Sequence, residues 1–186
     1  MAEAGIAPSP AATAERRPQL AGHRFANAHV TLAPAPPAAR LSVRGDRAAA
    51  GEALGLDLPE RVGRSTVHEG RTALALGPDE WLVIDETTDA PPPVTGDERH
   101  VGVDVSHRNV AFLVSGPGAV ATLNAGCPRD LAPEACPVGD AARTVLGKAE
   151  IVLLRTGDDA FRVECWRSFA PYVWALLEDA GGDAGL

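Results

Sequence analysis

The sequence predicts an α+β fold built from duplicated helix-on-antiparallel-sheet units. Three observations carry that reading. Short apolar runs occur in pairs around acidic turns, as in TALALGPDEWLVID (72–85) and EIVLLRTGDDAFRVEC (150–165), which is the pattern of antiparallel hairpins. Two short helical stretches each follow a strand and a glycine, after LSVRG (41–45) and FLVSG (112–116). A longer helix closes the chain, with Phe169, Tyr172, Val173, Leu176 and Leu177 at i, i+3, i+4, i+7 and i+8, the spacing of an amphipathic face.

The first two observations make an internal echo. Each half reads strand, Gly, helix, connector, strand, acidic turn, strand, a degenerate duplication with pseudo-repeats at about 40–100 and 101–180. The closing helix has no counterpart in the first half, where a proline loop stands instead. Amphipathic helices and half-apolar strands bury their faces most simply with helices packed on one side of each sheet. The domain is expected over 39–180, with a flexible Ala/Pro-rich arm at 1–38 and a flexible tail at 181–186.

Taken in order, residues 1–28 show little periodicity, and a short strand at His29–Leu32 ends at the stiff Pro34-Ala35-Pro36-Pro37. Arg40–Arg44 alternates as a strand. Asp46 is a plausible cap for a helix whose Ala50 and Leu54 share a face and which Gly55 ends. Leu56–Arg71 reads as loop. Thr72–Leu76 and Trp81–Asp85 read as strands joined by Gly77-Pro78-Asp79-Glu80, and 86–100 (ETTDAPPPVTGDERH) reads as a surface loop.

The central stretch is VGVDVSHRNVAFLVSGPGAVATLNAGCPRDL (101–131). It reads as a strand at 101–105, a polar corner at Ser106–Asn109 and a strand at 110–114. A helix then opens near Pro117, and Gly126 stands just past its end. Ala142–Leu146 and Ala149–Arg155 read as one long strand bent at Gly147. Phe161, Val163 and Cys165 alternate with Arg162, Glu164 and Trp166, a half-buried strand. Ser168 caps the last helix and Gly181-Gly182 ends it.

Composition excludes several functions. The chain has 186 residues and a net charge of −8, which disfavours a phosphate-binding face and hence nucleic acid. No apolar run is long enough for a membrane helix, and no secretory signal is visible. Cys127, Cys136 and Cys165 lack metal-ligand spacing and read as free thiols of a reducing cytoplasm.

The motif search finds no catalytic constellation. Asp104, Ser106 and His107 suggest a hydrolase, but adjacent strand residues face opposite ways and no G-x-S-x-G elbow is present. The structural alternative is a corner in which Ser106 or Asp104 bonds backbone donors and Arg108 pairs with a carboxylate. Ser115-Gly116-Pro117-Gly118 lacks the lysine of a phosphate loop. Trp81 reads as core. Trp174 sits beside the apolar face of its helix and Trp166 on the polar side of its strand, so both are candidates for a partner surface together with Arg167 and Phe169.

VDVSHRNVAFLVSGPGA (103–119), LNAGCPRDL (123–131), RTVLGKAEIVLLR (143–155), ECWRSFAPYVWALL (164–177) and GPDEWLVI (77–84) together resemble the gamma subunit of heterotetrameric sarcosine oxidase. The resemblance implies a fold similar to the folate-binding domains of the glycine-cleavage T-protein. It implies a non-catalytic subunit that supports assembly of a complex demethylating sarcosine to glycine, with hydrogen peroxide and formaldehyde or 5,10-methylenetetrahydrofolate as products. No cofactor is expected on this chain. FAD, FMN, NAD, tetrahydrofolate and zinc belong, by resemblance, to the alpha, beta and delta partners, and the alpha subunit is the chief contact. One departure is the segment 86–100, where a helix is expected in the family. The alternatives are a free-standing folate-binding module of one-carbon metabolism and a small hydrolase using Ser106 and His107.

Overall fold

Two antiparallel sheets stack face to face, and each carries helix on its outer side. The computed structural model describes residues 19–88, 90, 96 and 98–184. In chain order the strands are β1 (Phe25–Ala26), β2 (Thr31–Pro34), β3 (Ala39–Gly45), β4 (Ser65–His68), β5 (Arg71–Gly77), β6 (Glu80–Asp85), β7 (His100–Asp104), β8 (Asn109–Ser115), β9 (Ala141–Leu146), β10 (Ala149–Gly157) and β11 (Ala160–Trp166). The helices are α1 (Arg47–Leu54), α2 (Ala119–Asn124) and α3 (Ala170–Asp183), the last entered through a 3₁₀ turn at Arg167–Phe169.

One sheet has the order β1-β2-β8-β11-β10-β9 and the other β7-β3-β6-β5-β4. From β2 and β7 onward the two orders correspond place by place. Each sheet therefore takes its strand next to β8 or β3 from the other half of the chain: β2 pairs with β8, and β7 pairs with β3. The same chemistry marks both exchanges. Gly45 at the end of β3 has φ +125 and Gly116 just after β8 has φ +115. A Cβ there would lie 2.2 Å from the Arg99 carbonyl oxygen and 2.5 Å from that of His29. The backbone bonds repeat too: Gly45 N–H donates to Asp79 O and Asp46 N–H to Arg99 O, while Gly116 N–H donates to Asp159 O and Gly118 N–H to His29 O.

Period-two alternation sorts the core into layers. Leu41, Val43, Trp81 and Val83 pack with Ala50 and Leu54 of α1. Phe112, Val114, Ile151, Leu153, Phe161 and Val163 pack with α2 and α3. Leu74, Leu82, Ile84, Val152 and Leu154 fill the layer between the sheets. The Asp46 carboxylate accepts the Ala49 N–H, and Gly55 ends α1 in the left-handed conformation.

Several expectations are corrected. Part of the expected arm is built into the fold: β1 and β2 form the edge of the first sheet. Residues 1–18 of that arm lie outside the described residues, as do 185–186 of the tail and 89, 91–95 and 97 of the proline loop. The stretch 56–71, read as loop, contributes β4. Residues 141–157 form two strands, a hairpin turned at Gly147, rather than one bent strand. β11 is buried on both faces, because the second sheet covers its polar side. Gly126 is not left-handed, and α2 ends on a right-handed Ala125. Ser168 makes no cap bond.

The last helix runs to Asp183, through Gly181-Gly182. Its buried face is Ala170, Val173, Trp174, Leu177 and Gly181, shifted from the predicted stripe because two small residues take part. Gly181 lies against Phe25 and Val30, and Trp174, expected at the surface, is 4% exposed against the Phe112 ring. Phe169 and Tyr172, expected in the core stripe, are exposed.

Gly45→Ala and Gly116→Ala are each expected to cost at least about 1–3 kcal/mol, the scale of a forced backbone conformation. Gly182→Ala, where a Cβ meets nothing within 4 Å, is expected to be neutral or stabilising. Denaturant melts of the three variants check this, and equal midpoints for all three would contradict it.

Candidate functional site

The polar residues that matter lie between the sheets. Alternation on β3 turns Arg40, Ser42 and Arg44 toward the other sheet, and on β11 it turns Arg162, Glu164 and Trp166 the same way. Arg40 Nε donates to Glu164 Oε2 at 2.7 Å and its Nη2 to Oε1 at 3.1 Å. Arg162 Nε donates to Glu164 Oε1 at 2.8 Å, and its Nη1 bonds the Glu86 carboxylate. Arg40, Glu164 and Arg162 are all 5% exposed or less. Burial of such charges is tolerable only when each finds its partners.

A second cluster lies toward the open end. Arg44 Nη2 donates to Glu80 Oε2 at 2.9 Å, and Arg143 grips both oxygens of the same carboxylate. The Arg143 hydrogen bond above all, with help from the charges of Arg143 and Arg44, outweighs desolvation and holds the Glu80 carboxyl below its ordinary range.

The predicted corner connects to the first cluster. Asp104 Oδ1 accepts the Ser106 N–H at 2.8 Å. Ser106 Oγ accepts the Arg40 N–H at 2.7 Å and donates to the Arg40 carbonyl at 3.3 Å, which also accepts the Val105 N–H. This buried hydroxyl is spent on the backbone and is not posed as a nucleophile. His107 is exposed, and no hydrogen bond joins it to Ser106. Arg108 was expected to pair with a carboxylate. Instead its guanidinium lies over the Trp166 ring, 4.4 Å from the centroid, a cation–π contact. The Arg167 N–H donates to the Arg108 carbonyl at 2.8 Å and ties the corner to the end of β11.

Together these groups line a cleft of about 420 Å³ between the sheets, with Ser42, Arg44, Glu80, Arg108, Arg143, Glu150, Glu164 and Trp166 in its wall. At its edge stands an aromatic shelf: Trp166 is 40% exposed and its ring centroid lies 6.3 Å from that of Phe169, which is 38% exposed, while Tyr172, 40% exposed, follows one turn along α3 and its hydroxyl accepts the Lys148 N–H. The sequence reading picked out Phe169 but missed the cleft and Tyr172, since no local pattern announces a space between two sheets. The predicted residues divide accordingly. Arg108, Arg167 and Phe169 meet at the shelf with Trp166, Asp104 and Ser106 serve the corner, and Trp174 lies in the core beneath.

The thiols are buried and free. Burial first, then the neighbouring Glu164 charge, pushes Cys165 up to about 12, and burial likewise raises Cys136. Among the described residues no group of three or more His, Cys, Asp or Glu is placed to hold a metal ion, and no helix is long and apolar enough to cross a membrane.

A duplicated two-sheet α+β chain of this kind shares the aminomethyltransferase fold. The chain matches the glycine cleavage system aminomethyltransferase T of Bartonella henselae with a TM-score of 0.61 at 17% identity, over 81% of this chain and 45% of that one. Residues 44–183 match the family model described as "Sarcosine oxidase, gamma subunit family", and the chain belongs to that family. It is 36% identical over 141 residues to the sarcosine oxidase subunit gamma of Corynebacterium sp. (strain P-1), covering 73% of this chain and 70% of that protein. It also matches a chain of the heterotetrameric sarcosine oxidase from Corynebacterium sp. U-96, in complex with pyrrole 2-carboxylate. That likeness has a TM-score of 0.77 at 29% identity, over 88% of this chain and 89% of that one.

Glu164→Gln leaves two buried guanidinium groups short of their anion and is expected to cost about 3–5 kcal/mol in a denaturant melt, the usual penalty for breaking a buried pair. Glu80 acts through pH. Its lowered folded-state pKa stabilises the protein above the ordinary value of 4.5, and that increment is lost as pH falls through the folded value. The melting-temperature gap between the native chain and Glu80→Gln should therefore be full at neutral pH and narrow below 4.5. A gap that stays constant down through the acid range would contradict this assignment.

Proposed function

We propose that this chain is the non-catalytic gamma subunit of a heterotetrameric sarcosine oxidase. It supports assembly and stability of the complex that oxidatively demethylates sarcosine to glycine. The carrying observation is the family match over residues 44–183. The geometry agrees with it. Arg40, Glu164 and Arg162 bind one another and Ser106 binds backbone, so these polar groups are committed to holding the sheets together.

In this reading the partners are alpha, beta and delta subunits in the cytoplasm, the alpha subunit chiefly. FAD, FMN, NAD, tetrahydrofolate and zinc sit on those chains. The face offered to them is the shelf of Trp166, Arg167 and Phe169, joined to the Asp104–Arg108 corner through the Arg167 N–H. The likeness to an aminomethyltransferase concerns the fold and does not carry a free-standing folate module.

Co-expression of the tagged chain with candidate alpha, beta and delta subunits, followed by pull-down and native mass measurement, tests the proposal. The expected result is a four-chain complex that releases hydrogen peroxide from sarcosine, with complex yield falling when this chain is omitted. A chain that stays apart from those partners, or that purifies alone loaded with flavin, would overturn it.

A further inference from the structure

We infer that the inter-sheet cleft and its rim form a receptor for an acidic, extended segment of a partner subunit, a carboxylate of which pairs with Arg108. The inference rests on the subunit reading above and names the contact it leaves open.

The charge balance points to the occupant. The whole chain carries −8, yet Arg108 in the cleft wall has no anion among the described residues. Glu164 is neutralised from behind by Arg40 and Arg162. Of the other charged groups in the wall, Arg44 bonds Glu80 and lies 3.9 Å from Asp79, and Arg143 shares Glu80 and feels the charge of Glu150. Arg108 thus stands in the wall as a cation open to an incoming anion.

Arg108 is also held ready. Its stacking on Trp166 and the bond from the Arg167 N–H to its carbonyl fix both ends of the residue. A guanidinium so restrained loses little freedom when it takes a carboxylate in its planar fork. The hydroxyl of Ser42, in the same wall, has no hydrogen bond among the described residues and can receive or donate one.

A small carboxylate would satisfy Arg108 but leave the shelf bare. Trp166, in the cleft wall, and Phe169, with ring centroids 6.3 Å apart, are large exposed aromatic side chains at this edge. Aromatic and arginine side chains gathered at one site are the usual anchors of a protein–protein contact. An extended segment that enters the cleft with its acidic residue and lies across the shelf satisfies both.

The test uses the co-expressed complex with Arg108→Glu, Arg108→Lys and Trp166→Ala. Arg108 and Trp166 are exposed, so all three isolated chains are expected to melt close to the native chain. Recovery of partner subunits is expected to fall by at least about tenfold for Arg108→Glu, through repulsion of the incoming carboxylate, and by less for Arg108→Lys. Raising salt to about 1 M, where the screening length is about 3 Å, should weaken the native complex and raise recovery of the Arg108→Glu complex, whose repulsion it screens. Oxidative footprinting should show Trp166 protected in the complex and reactive in the free chain. Equal recovery for the native chain and Arg108→Glu would overturn the inference and leave the subunit reading standing. Failure of the native chain to join any complex would remove both. Arg108-dependent binding of free glutamate, with partner recovery unaffected, would replace the segment by a small carboxylate and overturn the inference as stated.

Discussion

The ion pair of Arg40 with Glu164 is the contact on which the arrangement of this protein depends. It joins β3 of one sheet to β11 of the other, both interior strands, at a depth where neither side chain sees water. A buried pair adds little net stability, because desolvation offsets much of the attraction. Its consequence is positional. Apolar faces can slide over one another at small cost, whereas a two-pronged guanidinium–carboxylate contact permits one alignment. Ser106 extends that alignment to the chain itself by holding the N–H and carbonyl of Arg40.

Strand exchange does the rest. β2 leaves the first half to join the second sheet-forming set, and β7 leaves the second half to join the first. Neither half can complete its sheet alone, so the two fold as one unit. The exchange needs the chain to pass very close to itself at two places, and Gly45 and Gly116 stand at those crossings. Two glycines far apart in sequence thus answer to one geometric demand, which is what a duplicated unit requires.

The cleft follows from the same layer. Where Leu74, Ile84 and Leu154 meet, the sheets close on an apolar core. Toward the corner the facing residues become Ser42, Arg44, Glu80, Arg108 and Arg143, which are too polar to collapse together, and the sheets part. Burial drives the apolar end shut and solvation keeps the charged end open. A subunit with a rigid, closed core and one polar, aromatic-rimmed opening is suited to holding other chains.

Much was legible in the sequence. Hairpins at 71–85 and 149–166, the capped α1 and the amphipathic α3 follow from local rules of alternation, capping and turn chemistry. The corner residues Asp104 and Ser106 were visible as polar interruptions between apolar runs. What local rules could not supply is what covers each face. Arg162 and Glu164 look like the wet side of a strand until a second sheet lies over them. Trp174 looks peripheral until Ala170 and Gly181 prove small enough to let α3 turn it inward. Arg108 looks like half of an ion pair until Trp166 is brought beneath it. The strands and helices follow from the order of residues, because each depends on neighbours a few residues away. Burial, charge pairing and the cleft arise in the folded chain alone, because they depend on residues such as Arg40 and Glu164 that are distant in the chain and meet only when the sheets stack.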